Sequence, residues 1–452
     1  MKLIYQIGRL DAQMKPLKFI YKNREYEKEL SSFVLKEHFG NDAKVVLIYS
    51  VSLSFNRTLI SDKSQLDDNF KSKIKNILEN EEGRNRYLEN PQEFFNNHPH
   101  SKLADDFIII HSIGEYEGVK FEASYDDIVL EILFDMIERY FEDKFDELYV
   151  DISSGLNIYV SALLEAARHF SVFNQLQNWD DKSKCKIYKA FSDPILVSSA
   201  SSYKIHQVET KFKAFFSSPI KKEDIDDYKL SRNITNVLFG EDNREFKRKL
   251  QKYFTNFAIH FSAIKNATPL ANYTFEFDEI NSIEEFSKEI IGRAKEKLSK
   301  NWKKGPQLPK DDFLKTLLSL GFYEGIIRIF KDKCIKPNRD SGVNLEEIEK
   351  FKGIYEIFGL NLNIAFIGNE IRNLEEGKDK ESKKLADKVS ENWELLNKFL
   401  YGEDGEFNPR NFFAHAGFER MVTEVKKCNE KLYFKYTQES LEKIKNSLLN
   451  NI

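Results

Sequence analysis

Cysteine is scarce in this 452-residue chain: Cys185, Cys334 and Cys428 stand far apart, with no CxxC pair. That spacing offers neither a disulfide framework nor a metal-ligand set, and it suits a reducing compartment. Long apolar runs are missing too. No stretch approaches the ~18 apolar residues that a membrane span requires. The opening residues MKLIYQIGRLD meet charge too soon for a signal peptide and read as a strand. A cytoplasmic protein that avoids membranes is expected. Large net charge is absent as well: at −4 the chain has no global basic field for duplex DNA, so a nucleic-acid ligand needs a local patch. No strand-like run leads into GxGxxG, and GxxxxGK[ST] does not occur, which disfavours dinucleotide-dependent dehydrogenases and P-loop enzymes.

What is present is a globular composition, 41% hydrophobic and 31% charged, in a chain too long for one core. The pattern divides at about residues 200 and 320, giving segments 1–200, 201–320 and 321–452. In the first, apolar runs at 2–7, 44–50, 107–111, 147–153 and 186–191 alternate with helix-period stretches at 25–39, 63–88 and 125–145. Continuous apolar strands imply burial on both faces, hence a mostly parallel, doubly wound α/β sheet. Such sheets bind ligands at the carboxyl ends of their strands. Here those ends are polar. The first is Gly8-Arg9, the second Ser50-Val51-Ser52, and the fourth Asp151-Ile152-Ser153-Ser154-Gly155-Leu156-Asn157, followed at once by an amphipathic helix. Serine hydroxyls and free helix N–H groups can grip a phosphate, and Asn157 can cap the helix or read a base edge. A nucleotide-like ligand is expected there.

From residue 201 strand patterns give way to helical periods at 209–216, 244–261, 283–298, 345–358 and 380–400, so the remainder is expected to be all-α. The most basic stretch, 293–310, contains Trp302. It reads chiefly as a solvated helix face and linker, with a grip on single-stranded RNA as the other reading. His98-Pro99-His100 reads as a solvated turn, so no metal site is expected.

Near the C-terminus stands Arg410-Asn411-Phe412-Phe413-Ala414-His415, the one R-N-x-x-x-H in the chain, and His415 is the only histidine after His260. Asn408-Pro409 before it is an N-cap and first-turn signature. A helix from Pro409 puts Asn411 and His415 on one face, near a positive helix end that suits phosphate, with Phe412, Phe413, Ala416 and Val422 burying the other side. An imidazole moves protons near neutral pH and a guanidinium neutralises a phosphate, together a minimal kit for cutting RNA without a metal.

A doubly wound domain with D-[IV]-[ST]-x-G-x-N after its fourth strand, joined to a helical domain with R-N-x-x-x-H, resembles the CARF–HEPN ribonucleases of type III CRISPR systems. The motifs that carry the resemblance lie at 151–157 and 410–415; the layout extends it over nearly the whole chain. It implies an N-terminal CARF domain, a helical linker and a C-terminal HEPN domain. It also implies a homodimer, or an assembly of dimers, activated by a cyclic oligoadenylate, most often cyclic tetra-adenylate, to cut single-stranded RNA. By position, Ser153, Ser154, Gly155 and Asn157 are expected at the messenger, with Gly8, Arg9, Ser50 and Ser52 as further candidates, and Arg410, Asn411 and His415 at the cut. The expected reaction is attack of a ribose 2′-hydroxyl on its own phosphate, leaving a 2′,3′-cyclic phosphate. Since each chain supplies one histidine there, a two-fold dimer is the simplest way to pair acid with base. The rival is a non-enzymatic nucleotide sensor that binds DNA through its helical part, for which 293–304 is the sole candidate recognition helix.

Overall fold

The computed structural model describes residues 1–13, 15–153, 155–180, 184–194, 201–240, 243–376, 384–400 and 405–452. It divides into two compact units. The first comprises Met1–Gln175, Ser183–Lys213 and Lys288–Leu314, the second Leu176–Lys182, Ala214–Ser287 and Lys315–Ile452. No helix among the described residues is long and apolar enough to cross a membrane.

Among the described residues the first unit holds ten strands: β1 Lys2–Ile7, β2 Leu17–Tyr21, β3 Arg24–Lys28, β4 Ala43–Ser50, β5 Asp106–Ile110, β6 Ile113–Tyr116, β7 Val119–Glu122, β8 Glu147–Asp151, β9 Lys186–Ser192 and β10 Tyr203–Thr210. All but the β6–β7 hairpin join one sheet in the order β3-β2-β10-β9-β8-β1-β4-β5. The five strands β9, β8, β1, β4 and β5 are parallel. The central strands β1, β4 and β8 are buried on both faces, as the continuous runs predict, whereas β5 and β9 are only partly so. In β1 Leu3, Ile4 and Tyr5 are wholly buried. β4 pairs on one side of β1 and β8 on the other, so the winding reverses beside β1.

Several expectations fail at the margins of this sheet. Residues 25–39 are not one helix: Arg24–Lys28 is the return arm of a hairpin whose turn residues Lys22 and Asn23 take left-handed φ, and the helix is Ser31–Phe39. Strands also continue past residue 201, and 209–216 is no helix. In β10, Tyr203 and Ile205 turn inward while Lys204 points out, a period of two, and the strand runs antiparallel to β9. Finally, His98 and His100 do not form a solvated turn. They are 0% and 2% exposed, packed against Tyr49, Phe70, Phe95 and Phe33. Trp302 is likewise no free stacking platform. Its ring stacks on His111 with centroids 4.9 Å apart. His111 in turn donates from Nδ1 to Glu131 at 2.5 Å and from Nε2 to the Asn301 carbonyl at 3.0 Å. Burial opposes the charge on this imidazole, but the adjacent Glu131 carboxylate and the Asn301 carbonyl outweigh it and raise its pKa. The helix that was to span 293–304 for the DNA-reading rival ends at Leu298.

The second unit is mostly helical: Arg244–Lys265 and Leu345–Ile357 fall where the apolar periods predict, and Asn361–Glu376 is a helix that those periods do not mark. It also holds a small sheet that a purely helical reading misses: β11 Val343–Asn344, β12 Glu394–Leu395, β13 Thr423–Cys428 and β14 Lys431–Tyr436, in the order β11-β14-β13-β12. The β13–β14 hairpin turns through Asn429 and Glu430, both at positive φ, and buries Val425, Leu432, Phe434 and Tyr436. Nor is 380–400 a helix. Residues 377–383 lie outside the described residues, and beyond them come the one-turn helix Leu385–Lys388 and β12.

The burial of His98 and His100 has a measurable consequence. Burial, added to by the His100 charge at His98 and the Arg9 charge at His100, pushes both imidazoles down to about 3. Each is neutral in the fold, whereas the unfolded chain takes up its proton near pH ~6.5. Between these values unfolding binds two extra protons, so stability falls on acidification by about 1.4 kcal/mol per pH unit per ring. Urea unfolding between pH 4.5 and 6.5 is expected to show a two-proton steeper pH dependence for wild type than for His98→Asn/His100→Asn. Parallel curves would mean that the rings are charged in the fold.

Candidate active site and ligand cleft

In the second unit the Asn408-Pro409 signature starts a helix as predicted, but a short one, Pro409–Ala414. The Asn408 side chain accepts from the backbone N–H of Arg410 at 2.9 Å and of Asn411 at 3.4 Å. Those N–H groups are therefore spoken for, and six residues sum to little dipole; the expected phosphate grip at this helix end does not hold. His415 is the residue that ends the helix, at φ −115° and ψ 33°, so it does not continue the helical face of Asn411. Its N–H still donates to the Asn411 carbonyl at 3.0 Å. The chain then reverses through Ala416 and Gly417, both at positive φ, with the Gly417 N–H donating to the Phe412 carbonyl at 2.8 Å. A Cβ on Gly417 would stand 2.8 Å from the Tyr436 hydroxyl, so only glycine suits the place.

This turn sorts its side chains by their apolar content. Phe412, Ala416 and Val422 are buried, while Phe413 is only half-buried. Arg410 and Asn411 are exposed, and His415 is partly so. The three polar residues thus lie on one solvent-facing turn, free to meet a substrate. Two carboxylates that the sequence reading missed stand beside the imidazole. Glu370, from helix Asn361–Glu376, places Oε1 3.4 Å from His415 Nδ1. Glu419 is 4% exposed and accepts the Met421 N–H at 2.9 Å; burial raises its pKa against those backbone bonds and the nearby His415 charge. Glu370 precedes the motif by 40 or more residues and Glu419 sits past a left-handed turn, so no sequence spacing signals either.

In the first unit a small cleft opens at the carboxyl ends of β1 and β8, where the winding reverses, as the ligand rule for such sheets anticipates. Arg9, Ser31, Ser153, Gly155 and Ser192 are among its lining residues. The Arg9 guanidinium donates to the Glu29 carbonyl at 3.1 Å and lies 3.1 Å from Asp11. Ser153 Oγ accepts the Ser192 N–H at 2.9 Å, and the Ser153 N–H donates to Asp151 Oδ1 at 2.9 Å. Asp151 is wholly buried, which raises its carboxyl pKa against the Ser153 hydrogen bonds. Gly155 is exposed, with open space where a Cβ would point. Asn157 is exposed at the first residue of helix Asn157–Gln177. Ser154 lies outside the described residues. The remaining candidates are not among the lining residues. Gly8 is packed under the Tyr49 ring, where a Cβ would meet Cε1 at 2.3 Å. Ser50 and Ser52 are 2% and 5% exposed, and the Ser52 N–H donates to Ser112 Oγ at 2.9 Å. Among the described residues no group of three or more His, Cys, Asp or Glu is placed to hold a metal.

A doubly wound sheet with a polar cleft at its winding reversal, and a helical unit that presents Arg, Asn and His on one turn, define a two-part class: a domain with a candidate ligand cleft and a candidate nuclease domain on one chain. Comparison with known proteins narrows this. Residues 2–194 match the family described as CRISPR system endoribonuclease Csx1, CARF domain, and residues 360–439 match CRISPR system endoribonuclease Csx1, HEPN domain. The chain belongs to the CARF–HEPN ribonuclease family of CRISPR systems. A curated relative, the CRISPR system endoribonuclease Csx1 of Methanocaldococcus jannaschii, is 27% identical over 318 residues. The alignment spans 68% of this chain and 64% of the relative's length.

The cap gives a test of the local geometry. Asn408→Ala is expected to cost about 1 kcal/mol, as loss of an N-cap typically does, and Asn408→Ser to cost much less because its hydroxyl accepts the same N–H groups. Chemical denaturation followed by tryptophan fluorescence reads both. Equal losses for Ala and Ser would show that the cap does not hold this turn.

Proposed function

We propose that this protein is a metal-independent endoribonuclease of CRISPR antiviral defence that cuts single-stranded RNA when a cyclic oligoadenylate, most simply cyclic tetra-adenylate, binds its sheet domain. The observation that carries the reading is the exposed Arg410–His415 turn inside the residues that match a HEPN domain. Arg410 neutralises the charge that grows on the phosphate as the 2′-hydroxyl attacks. His415 takes or returns a proton, and Asn411 orients the phosphate. Two chains related by a two-fold axis bring two such turns to one cleft, so that one imidazole serves as base and the other as acid. The products are a 2′,3′-cyclic phosphate and a 5′-hydroxyl. No metal ion or cofactor is required for catalysis in this scheme.

The messenger belongs at the carboxyl edge of the sheet. Arg9, Ser153, Ser154, Gly155 and Asn157 are assigned to its phosphates and bases, while the burial of Gly8, Ser50 and Ser52 gives them the supporting role of shaping the floor. A cyclic ligand with its own rotational symmetry can bridge the loops of two chains. It favours the active arrangement only by binding that arrangement more tightly. The sheet unit, which takes in 1–175, 183–213 and 288–314, is assigned to sensing and the helical unit to cleavage, so that 201–320 is shared between them rather than forming a separate linker; the protein is assigned to the cytoplasm.

Labelled single-stranded RNA in excess chelator tests this reading. Cyclic tetra-adenylate is expected to raise cleavage by wild type, and His415→Ala to lose about 100-fold or more of it. RNA left intact under both conditions, with messenger still bound, would overturn the ribonuclease reading and favour a nucleotide-sensing regulator.

A further inference from the structure

The ribonuclease reading leaves one group near the imidazole without a task. Glu370 lies on helix Asn361–Glu376, whose rotation is fixed by Ile367, Ile371 and Leu374, buried at i, i+4 and i+7. Asn363 ties the start of that helix by donating to the carbonyls of Ile264 and Lys265 at 3.0 and 3.1 Å. A helix so held offers Glu370 to one place. Its side chain is 13% exposed, and Oε1 stands 3.4 Å from His415 Nδ1. The other nearby carboxylate, Glu419, is committed to the Met421 N–H. Glu370 is therefore the carboxylate that faces the ring.

We propose that Glu370 is a positioning residue for His415: it holds the imidazole in the Nδ1–H form and so turns Nε2, with its lone pair, toward the substrate. This rests on the ribonuclease reading above and adds the group that sets the orientation and tautomer of its histidine. The physical reasons are two. His415 follows the last helical residue rather than sitting within the helix, so the backbone does little to fix its ring. A carboxylate on Nδ1 supplies that order, and its charge stabilises the imidazolium formed once Nε2 accepts a proton. Among the described residues the group placed at Nδ1 is the Glu370 carboxylate.

The test uses the full chain with saturating cyclic tetra-adenylate and single-stranded RNA. Glu370→Gln keeps the shape and removes the charge; it is expected to lower kcat about tenfold or more with KM within about twofold. Glu370→Asp, which keeps the charge, is expected to recover at least a third of the lost rate. Independently, ¹⁵N shifts of labelled histidine in wild type are expected to show the neutral His415 ring protonated at Nδ1. A ring protonated at Nε2, a kcat for Glu370→Gln within twofold of wild type, or an Asp variant as poor as the Gln variant overturns the proposal. If wild type fails to cleave RNA, the ribonuclease reading falls while the ¹⁵N measurement still decides the Glu370–His415 pairing. If wild type cleaves and Glu370→Gln is unimpaired, the positioning role falls and the ribonuclease stands.

Discussion

Everything chemical in the C-terminal unit hangs on the burial of one ring, Phe412. A helix of six residues cannot sustain itself in water, because nucleation costs more than one turn of hydrogen bonds returns. Pro409–Ala414 persists because Phe412 is fully buried, with ring neighbours at Phe407, Phe413 and Tyr436, and because Asn408 satisfies its first N–H groups. Tyr436 comes from β14, which explains why a mostly helical unit carries a four-stranded sheet at this spot. Once Phe412 is seated, its flanking residues point outward by helical geometry, and the Ala416–Gly417 reversal leaves His415 at the helix end. Short reach and an abrupt stop expose Arg410, Asn411 and His415 together.

The sheet unit obeys a different constraint. Its central strand is closed in on both faces, so polar groups are few: in mid-strand the Tyr5 hydroxyl donates to the buried Asp135 carboxylate, and others enter where strands end. Those that enter are tied: Asp151 by Ser153, Gln6 by Ser31 and Ser32. Arg9 reaches the cleft from just beyond Gly8, whose missing side chain lets the Tyr49 ring close over the strand end. Order at the cleft floor and polarity at its rim follow from the same few residues.

How much of this the sequence discloses depends on whether the signal is local. The parallel core strands were legible because each is a continuous apolar run, and the Asn408-Pro409 start because a cap and a first-turn proline are adjacent in the chain. Hairpins at Lys22-Asn23 and Asn429-Glu430 were not, since neither pair contains the glycine that usually marks such turns. His98 and His100 looked like solvent-facing residues around a proline, yet aromatic neighbours from distant segments enclose them. Glu370 is the sharpest case. Its contact with His415 spans 45 positions and depends on how a separate helix is rotated, which no motif encodes. Conversely, Ser50 and Ser52 sit at a strand end as expected, but burial takes them out of the cleft lining.

The proposed chemistry sets an imidazole and a guanidinium on an exposed turn, paired with the same turn of a second chain, to cleave RNA by internal attack of the ribose hydroxyl. End-group analysis of the products, from RNA cut by the messenger-activated protein in excess chelator, tests this most directly. Internal attack leaves a 2′,3′-cyclic phosphate on the upstream fragment and a 5′-hydroxyl on the downstream one, and these are the expected ends. Fragments ending in 3′-hydroxyl and 5′-phosphate would contradict it, because they require water rather than the neighbouring hydroxyl as the nucleophile.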